Sequence, residues 1–267
     1  MKVFHICTIA NNLSMYEEMK SSFIEAGFDE DRCRYSLLDN SIGNLHEPFS
    51  TFNSIVSNTV EPYIIFCHQD VLLNQGHGFN QLVSLIEELD NLDPNWAVLG
   101  NAGVNNNYQN VAKITDPNPT PNWLGDFPQK VHSLDDNFFL LKSSANLTFS
   151  SEINGFLFYA ADLCLNAIVR EYSCYVVNFH LTHLSGGKAN GGKMNKNFYN
   201  VLSQFEKRWS REFNFCYIKI IYSPAILLSK HTWLRYILAH NRIINKIVGW
   251  WFFCNTPLRT LVNTQLQ

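Results

Sequence analysis

The last 55 residues of this 267-residue chain contain no acidic side chain, and charge is scarce throughout, at 16% of residues against roughly 25% in ordinary soluble proteins. No run of about 18 apolar residues is free of charge, so a membrane-spanning helix is not expected. The seven cysteines include no CxxC pair. That excludes a zinc ribbon or a thioredoxin-type redox motif and predicts free thiols in a reducing compartment. No internal repeat is visible, which excludes a solenoid. The opening MKVFHICTIANN reads as a strand entering a polar loop, so no leader peptide is expected.

What is present is unevenly distributed. Residues 1–212 hold 14 basic against 23 acidic residues, whereas residues 213–267 hold six basic ones (Lys219, Lys230, Arg235, Arg242, Lys246, Arg259). The same segment carries Trp233, Trp250, Trp251, Phe252 and Phe253. Two regions follow: an α/β domain over 1–212 and a helical basic and aromatic tail over 213–267. Cations beside large rings suit the surface of an anionic membrane. A helix packed on the domain, with its cations solvated, is the other reading.

Hydrophobic patterning in the first region alternates strands and helices. Strands are predicted at Lys2–Ile9, Arg34–Leu38, Tyr63–Cys67 and Trp96–Leu99, with helices from Ser14, near Phe49–Thr59 and near Gly78–Leu92. This order is that of a mostly parallel, Rossmann-like central sheet flanked by helices. Residues 101–128 are rich in Asn and Pro and read as a long loop. Further on come a strand at Phe138–Leu141, a helix at Ala161–Glu171, a strand at Tyr175–Phe179 and a helix ending near Glu212.

The segment Tyr63-Ile-Ile-Phe-Cys-His-Gln-Asp70 carries the most chemical information. A buried strand ending in a carboxylate places Asp70 at the carboxyl edge of the sheet, where open α/β folds bind ligands. A carboxylate there suits a divalent cation bridging to a diphosphate, or it caps the following helix. Asp162 lies at the start of an amphipathic helix, as a general base or as a charge favoured by the helix dipole. His183 ends a later strand, and Lys188 and Lys193 lie in a Gly-rich stretch suited to closing over phosphates.

In order along the chain stand Ile9-Ala-Asn-Asn12, Leu38-Asp-Asn40, Phe52-Asn53, Phe66-Cys-His-Gln-Asp-Val71, Gly100-Asn-Ala-Gly103, Leu134-Asp-Asp136, Phe158-Tyr-Ala-Ala-Asp-Leu-Cys-Leu165 and His183-Leu-Ser-Gly-Gly187. This series resembles the glycosyltransferase-like members of the family-2 (GT-A) superfamily that carry a His-Gln-Asp motif in place of Asp-x-Asp. The resemblance runs from about Val3 to Trp209. It implies a hexosyltransferase-type enzyme with a GT-A fold, using a nucleotide-diphosphate sugar, a UDP-sugar in the first instance, and Mn2+ or Mg2+. It makes Asp70 and His183 the metal ligands and Asp162 the catalytic base of an inverting reaction. Asp39 would contact the base or ribose, Asp135 and Asp136 would lie near the acceptor, and Asn11, Asn53 and Gln69 would join the substrate-binding set. His68 stands where the first Asp of the usual motif would be, which thins the metal coordination, and Ala161 replaces an acid often found before the base.

The resemblance further implies a saccharide or lipid-linked saccharide acceptor, a role in cell-surface polysaccharide synthesis, and a cytoplasmic location, peripheral on the membrane. No nucleic-acid partner is expected. Among rivals, Gly187–Lys193 fits the start of a P-loop, but Met194 replaces the Ser or Thr that would hold magnesium. A nucleotidyltransferase would need a basic, Gly-rich loop after the first strand, where this chain has Ala10-Asn-Asn-Leu-Ser14. A catalytically silent glycan-binding or scaffold protein on the same fold is the remaining alternative.

Overall fold

The computed structural model describes residues 2–116, 122–184, 196–213, 216–221 and 225–231. In chain order the first half comprises β1 (Phe4–Ala10), α1 (Leu13–Glu25), β2 (Cys33–Asp39), α2 (Pro48–Asn58) and β3 (Tyr63–Cys67). There follow β4 (Val71–Leu73), α3 (Phe79–Leu92), β5 (Trp96–Gly100), β6 (Ala102–Asn105), β7 (Asn110–Thr115) and β8 (Asn122–Leu124). Then come β9 (Gln129–Leu134), β10 (Phe138–Lys142), α4 (Tyr159–Val169), β11 (Ser173–Val176) and β12 (Leu181–His183). Last are α5 (Lys196–Trp209), β13 (Cys216–Lys219) and β14 (Ala225–Leu228).

The first helices form where capping and apolar spacing agree. Asn12 accepts from the backbone N–H groups of Ser14 and Met15 at the start of α1, whose buried face is Tyr16, Met19 and Phe23. At α2, Glu47 caps, Pro48 sits in the first turn, and Phe49 and Phe52 are buried.

The sheet has twelve strands in the order β2-β1-β3-β10-β5-β11-β9-β6-β7-β12-β4, with β8 beside β7. β1 pairs in parallel with both β2 and β3, and β11 pairs in parallel with β5. β10 runs antiparallel between β3 and β5. The parallel pattern therefore holds among β1, β2 and β3, between β5 and β11, and between β7 and β12, while the sheet as a whole is mixed. Alternation along β10 and β3 divides the core between two faces: Phe139, Leu141, Ile64 and Phe66 join one cluster, and Phe138, Leu140, Ile65 and Cys67 join the other. α4 is buried from Tyr159 to Ala167, and its packing against β9, β11 and β5 explains the absence of a clear polar face.

Two expectations need correction. Residues 101–128 are not a long loop: the described part forms β6 and β7, an antiparallel pair, with β8 added on β7. Asn and Gly in these short strands masked the pattern, since β6 and β7 also lean on β9 and β12 from later in the chain. The segment from 213 opens as strand rather than helix: β13 and β14 pair antiparallel, and Cys216, Ile218 and Leu228 are fully buried in the core. The Tyr108 hydroxyl donates to the Tyr217 carbonyl at 3.0 Å, and Ser133 Oγ donates to the Lys219 carbonyl at 2.6 Å. Residues 232–267, with the tryptophans of the expected tail, lie outside the described residues. Among the described residues no helix is long and apolar enough to cross a membrane. The six described cysteines are buried free thiols.

Candidate metal centre at the carboxyl edge of the sheet

β1, β2 and β3 end together at Ala10, Asp39 and Cys67, so the residues that follow them share one edge. Register then assembles the centre. His183 pairs opposite Val71 in the β12–β4 ladder, and the Leu184 N–H donates to the Asp70 carbonyl at 2.8 Å. This sets His183 Nε2 at 3.4 Å from Asp70 Oδ2. On its other side β12 pairs with β7, Thr182 opposite Thr115, and Asp116 Oδ1 lies 3.5 Å from His183 Nδ1. His68 comes in from the turn after β3, with Nδ1 at 3.8 Å from Asp70 Oδ1. One ligand atom from each of His68, Asp70 and His183 lies within 4.8 Å of the others. Asp70 and His183 are buried and His68 is partly exposed.

The electrostatics follow from this crowding. Burial pulls His183 down, but Asp70, with Asp135 and Asp116 in support, outweighs it and leaves the imidazole above its ordinary pKa. Burial lowers His68, with His183 adding to the effect and Asp70 and Asp135 opposing it. Two imidazoles and a carboxylate converging in a mostly buried corner fit a divalent cation that accepts nitrogen ligands.

Behind His68 stands α4. His68 Nε2 is 2.8 Å from the Tyr159 hydroxyl, which donates to the Asp136 carbonyl at 3.3 Å. The Asp136 carboxylate accepts the backbone N–H groups of Phe158 and Ala160, both at 2.8 Å, and so pins the start of the helix. Burial pushes Asp136 up to about 8, with Asp135 adding to it against those two donors.

The other expected residues divide clearly. Gln69 bridges two loops, donating to Asn11 Oδ1 at 2.7 Å and accepting from the Asn12 N–H at 2.8 Å. Asp39 sits at the end of β2 and accepts from the Ser41 N–H at 2.8 Å; the Ser41 side chain leads in lowering its pKa and this N–H follows. These residues line the same edge as Asp70. Asn53 is instead a tie within the fold, exchanging two hydrogen bonds with the Phe149 backbone at 2.9 and 2.8 Å. Asp162 is fully buried. Its oxygens accept from Ser150 Oγ at 2.7 Å, the Ser150 N–H and Trp209 Nε1 at 2.8 Å, and Asn166 Nδ2 at 3.3 Å. Burial raises it to about 6 against the Ser150 and Trp209 donors. These bonds make it a strut between α4, α5 and the segment before α4. Lys188 and Lys193 lie outside the described residues.

Three contributors were not singled out in the sequence. His68 was in view only as a departure from a motif. Tyr159 lay among apolar residues, and Asp116 fell in the stretch read as loop.

No family model matches the chain. Among solved structures, it is similar to S. aureus TarS residues 1–349 in complex with UDP-GlcNAc, with a TM-score of 0.52 and 13% identity over 78% of this chain and 66% of that one. The same TarS segment in complex with UDP gives a TM-score of 0.48 and 12% identity over 78% and 65% of the two chains. The chain thus spans just under two thirds of the TarS segment, and the first of these likenesses bears on the fold alone. A sequence relative is the protein named ATP synthase subunits region ORF 6 of Fuscovulum blasticum, 31% identical over 217 residues that make up 79% of this chain and 85% of that protein. With that identity over most of both sequences, the chain belongs to the same family as the Fuscovulum blasticum ATP synthase subunits region ORF 6 protein.

Proposed function

We propose that the protein is a cation-assisted glycosyltransferase of GT-A type that takes its sugar from a nucleotide-diphosphate donor, a UDP-sugar first. The observation that carries this reading is the convergence of His68, Asp70 and His183 at the carboxyl edge of the sheet. Beside them on that edge lie Asn11, Gln69 and Asp39, where a nucleotide would rest. The fold likeness to a TarS segment holding UDP-GlcNAc supports the same reading.

Asp70 and His183, joined by His68, would hold the cation, and their nitrogen content favours Mn2+ over Mg2+. Such a cation supplies charge neutralisation for the departing diphosphate. The base is assigned to Asp136 in place of Asp162, because Asp162 is fully buried with four donors on its oxygens, whereas Asp136 is partly exposed. Asp136, held by two backbone donors and raised to about 8, suits a group that accepts the proton of an acceptor hydroxyl. Attack from the back face then inverts the anomeric centre. Asp135 lies beside it on the acceptor side. The acceptor, a saccharide or a lipid-linked saccharide of cell-surface polysaccharide, belongs to the same reading through the family resemblance alone, and peripheral association with the cytoplasmic face of a membrane through the basic, aromatic sequence after residue 212.

A second reading, a silent glycan-binding protein on the same fold, draws support from the burial of Asp162. The test is binding of UDP and other nucleoside diphosphates, with and without Mn2+, to the wild type and Asp70→Ala, followed by donor turnover. Cation-dependent binding lost in the variant, together with turnover, supports the transferase. A folded wild type that binds glycans but no nucleotide points to the silent protein.

A further inference from the structure

Tyr159 has one phenolic proton and two polar neighbours, His68 Nε2 at 2.8 Å and the Asp136 carbonyl at 3.3 Å. A carbonyl can only accept, so the proton is committed to Asp136, and the phenol oxygen accepts from His68 Nε2–H. In a neutral imidazole, a protonated Nε2 leaves the lone pair on Nδ1. Nδ1 is the nitrogen of His68 that faces Asp70. His183 is turned the opposite way: Nδ1 faces Asp116 at 3.5 Å, and Nε2 faces Asp70 at 3.4 Å. Each carboxylate draws a proton to its own nitrogen, in keeping with the raised pKa of this imidazole, so the two together select no single tautomer.

We propose that Tyr159 is a positioning residue that sets the tautomer of His68, so that its Nδ1 presents a lone pair to the space beside Asp70. The support is well anchored. Tyr159 is the first residue of α4, whose start Asp136 pins, and its ring packs against Phe49, Phe52 and Phe139. Partners that orient a ligating histidine act through its tautomer and ring angle. Without the Tyr159 hydroxyl, His68 is free to turn an N–H toward Asp70, which closes that position to a cation. The consequence for the cation rests on the function proposed above, whereas the His68 tautomer is a property of the cation-free protein.

The test is long-range 1H–15N correlation on the 15N-histidine-labelled full chain in EDTA, with His68→Gln and His183→Gln to assign the signals. The expected spectra show His68 protonated on Nε2. Tyr159→Phe shifts His68 toward the Nδ1–H form. Mn2+ titration of the same folded variant gives an affinity weaker by about 10- to 100-fold. A wild-type His68 protonated on Nδ1, or a Tyr159→Phe variant with tautomer and Mn2+ affinity unchanged, overturns the proposal. A wild type with the expected tautomer that binds no Mn2+ upholds the positioning role and overturns the cation reading, so the two failures are separate.

Discussion

Asp70 and His183 stand side by side, Oδ2 to Nε2 at 3.4 Å, although 113 positions separate them, because β4 and β12 pair with His183 opposite Val71. A slip of one residue in that ladder would turn His183 to the other face of the sheet. The centre is therefore a property of strand register, and its functional consequences are open to direct measurement.

Asp70→Asn keeps the shape of the side chain and removes its charge. Mn2+ affinity, followed by calorimetry, is expected to fall by at least about 10-fold, the scale seen when groups supporting a metal site are lost. His68→Gln is expected to weaken binding as well, and wild-type affinity in that variant would remove His68 from the ligand set.

Asp136→Asn is expected to lower kcat by about 10²- to 10⁴-fold, the range for loss of a general base. The base acts when deprotonated, so wild-type turnover rises with pH through about 8, and the variant loses that rise. A profile that keeps the same rise in Asp136→Asn would assign the titration to another group.

Asp162→Ala separates a strut from a base. It leaves the donors of Trp209 Nε1 and the Ser150 N–H without their acceptor, at a cost of about 1–3 kcal/mol for each buried group so stranded. Thermal unfolding is expected to move down by several degrees, while activity per folded molecule stays within a few-fold of wild type. Loss of turnover in a variant of unchanged stability would return the base to Asp162.

Acid destabilisation is expected from two buried histidines. Burial lowers both His5 and His132 to about 4, with Arg34 adding to the effect on His5. Their folded-state pKa values are depressed, so the unfolded chain takes up protons first. The stabilising contribution is whole above the unfolded value near 6.5 and is lost as pH falls toward 4, up to about 3 kcal/mol per histidine. Urea unfolding across that range measures the slope, and His132→Gln should make it shallower.

Apart from the three-residue strand β4, the strand and helix order of the first hundred residues was legible because those elements are formed by local apolar patterns. The run Tyr63–Cys67 is continuously apolar and α3 buries Phe79, Leu82, Leu85, Ile86 and Leu89 at helical spacing. Asp70 was legible for the same reason, as the carboxylate just past a buried strand. β6, β7 and β8 were not, since short strands with Asn and Gly take their conformation from partners such as β9 and β12. Asp116 was lost with them.

By itself the sequence determined the α/β class, the placing of Asp70 at the carboxyl edge of the sheet, and the concentration of positive charge after residue 212. These depend on local periodicity and composition. Only the tertiary structure decided that His68 joins Asp70 and His183, that Tyr159 and Asp116 stand behind the two imidazoles, and that Asp162 is sealed against Trp209 and Ser150. Which way a side chain faces, and how much water reaches it, depends on strand register and helix packing between segments far apart in the chain.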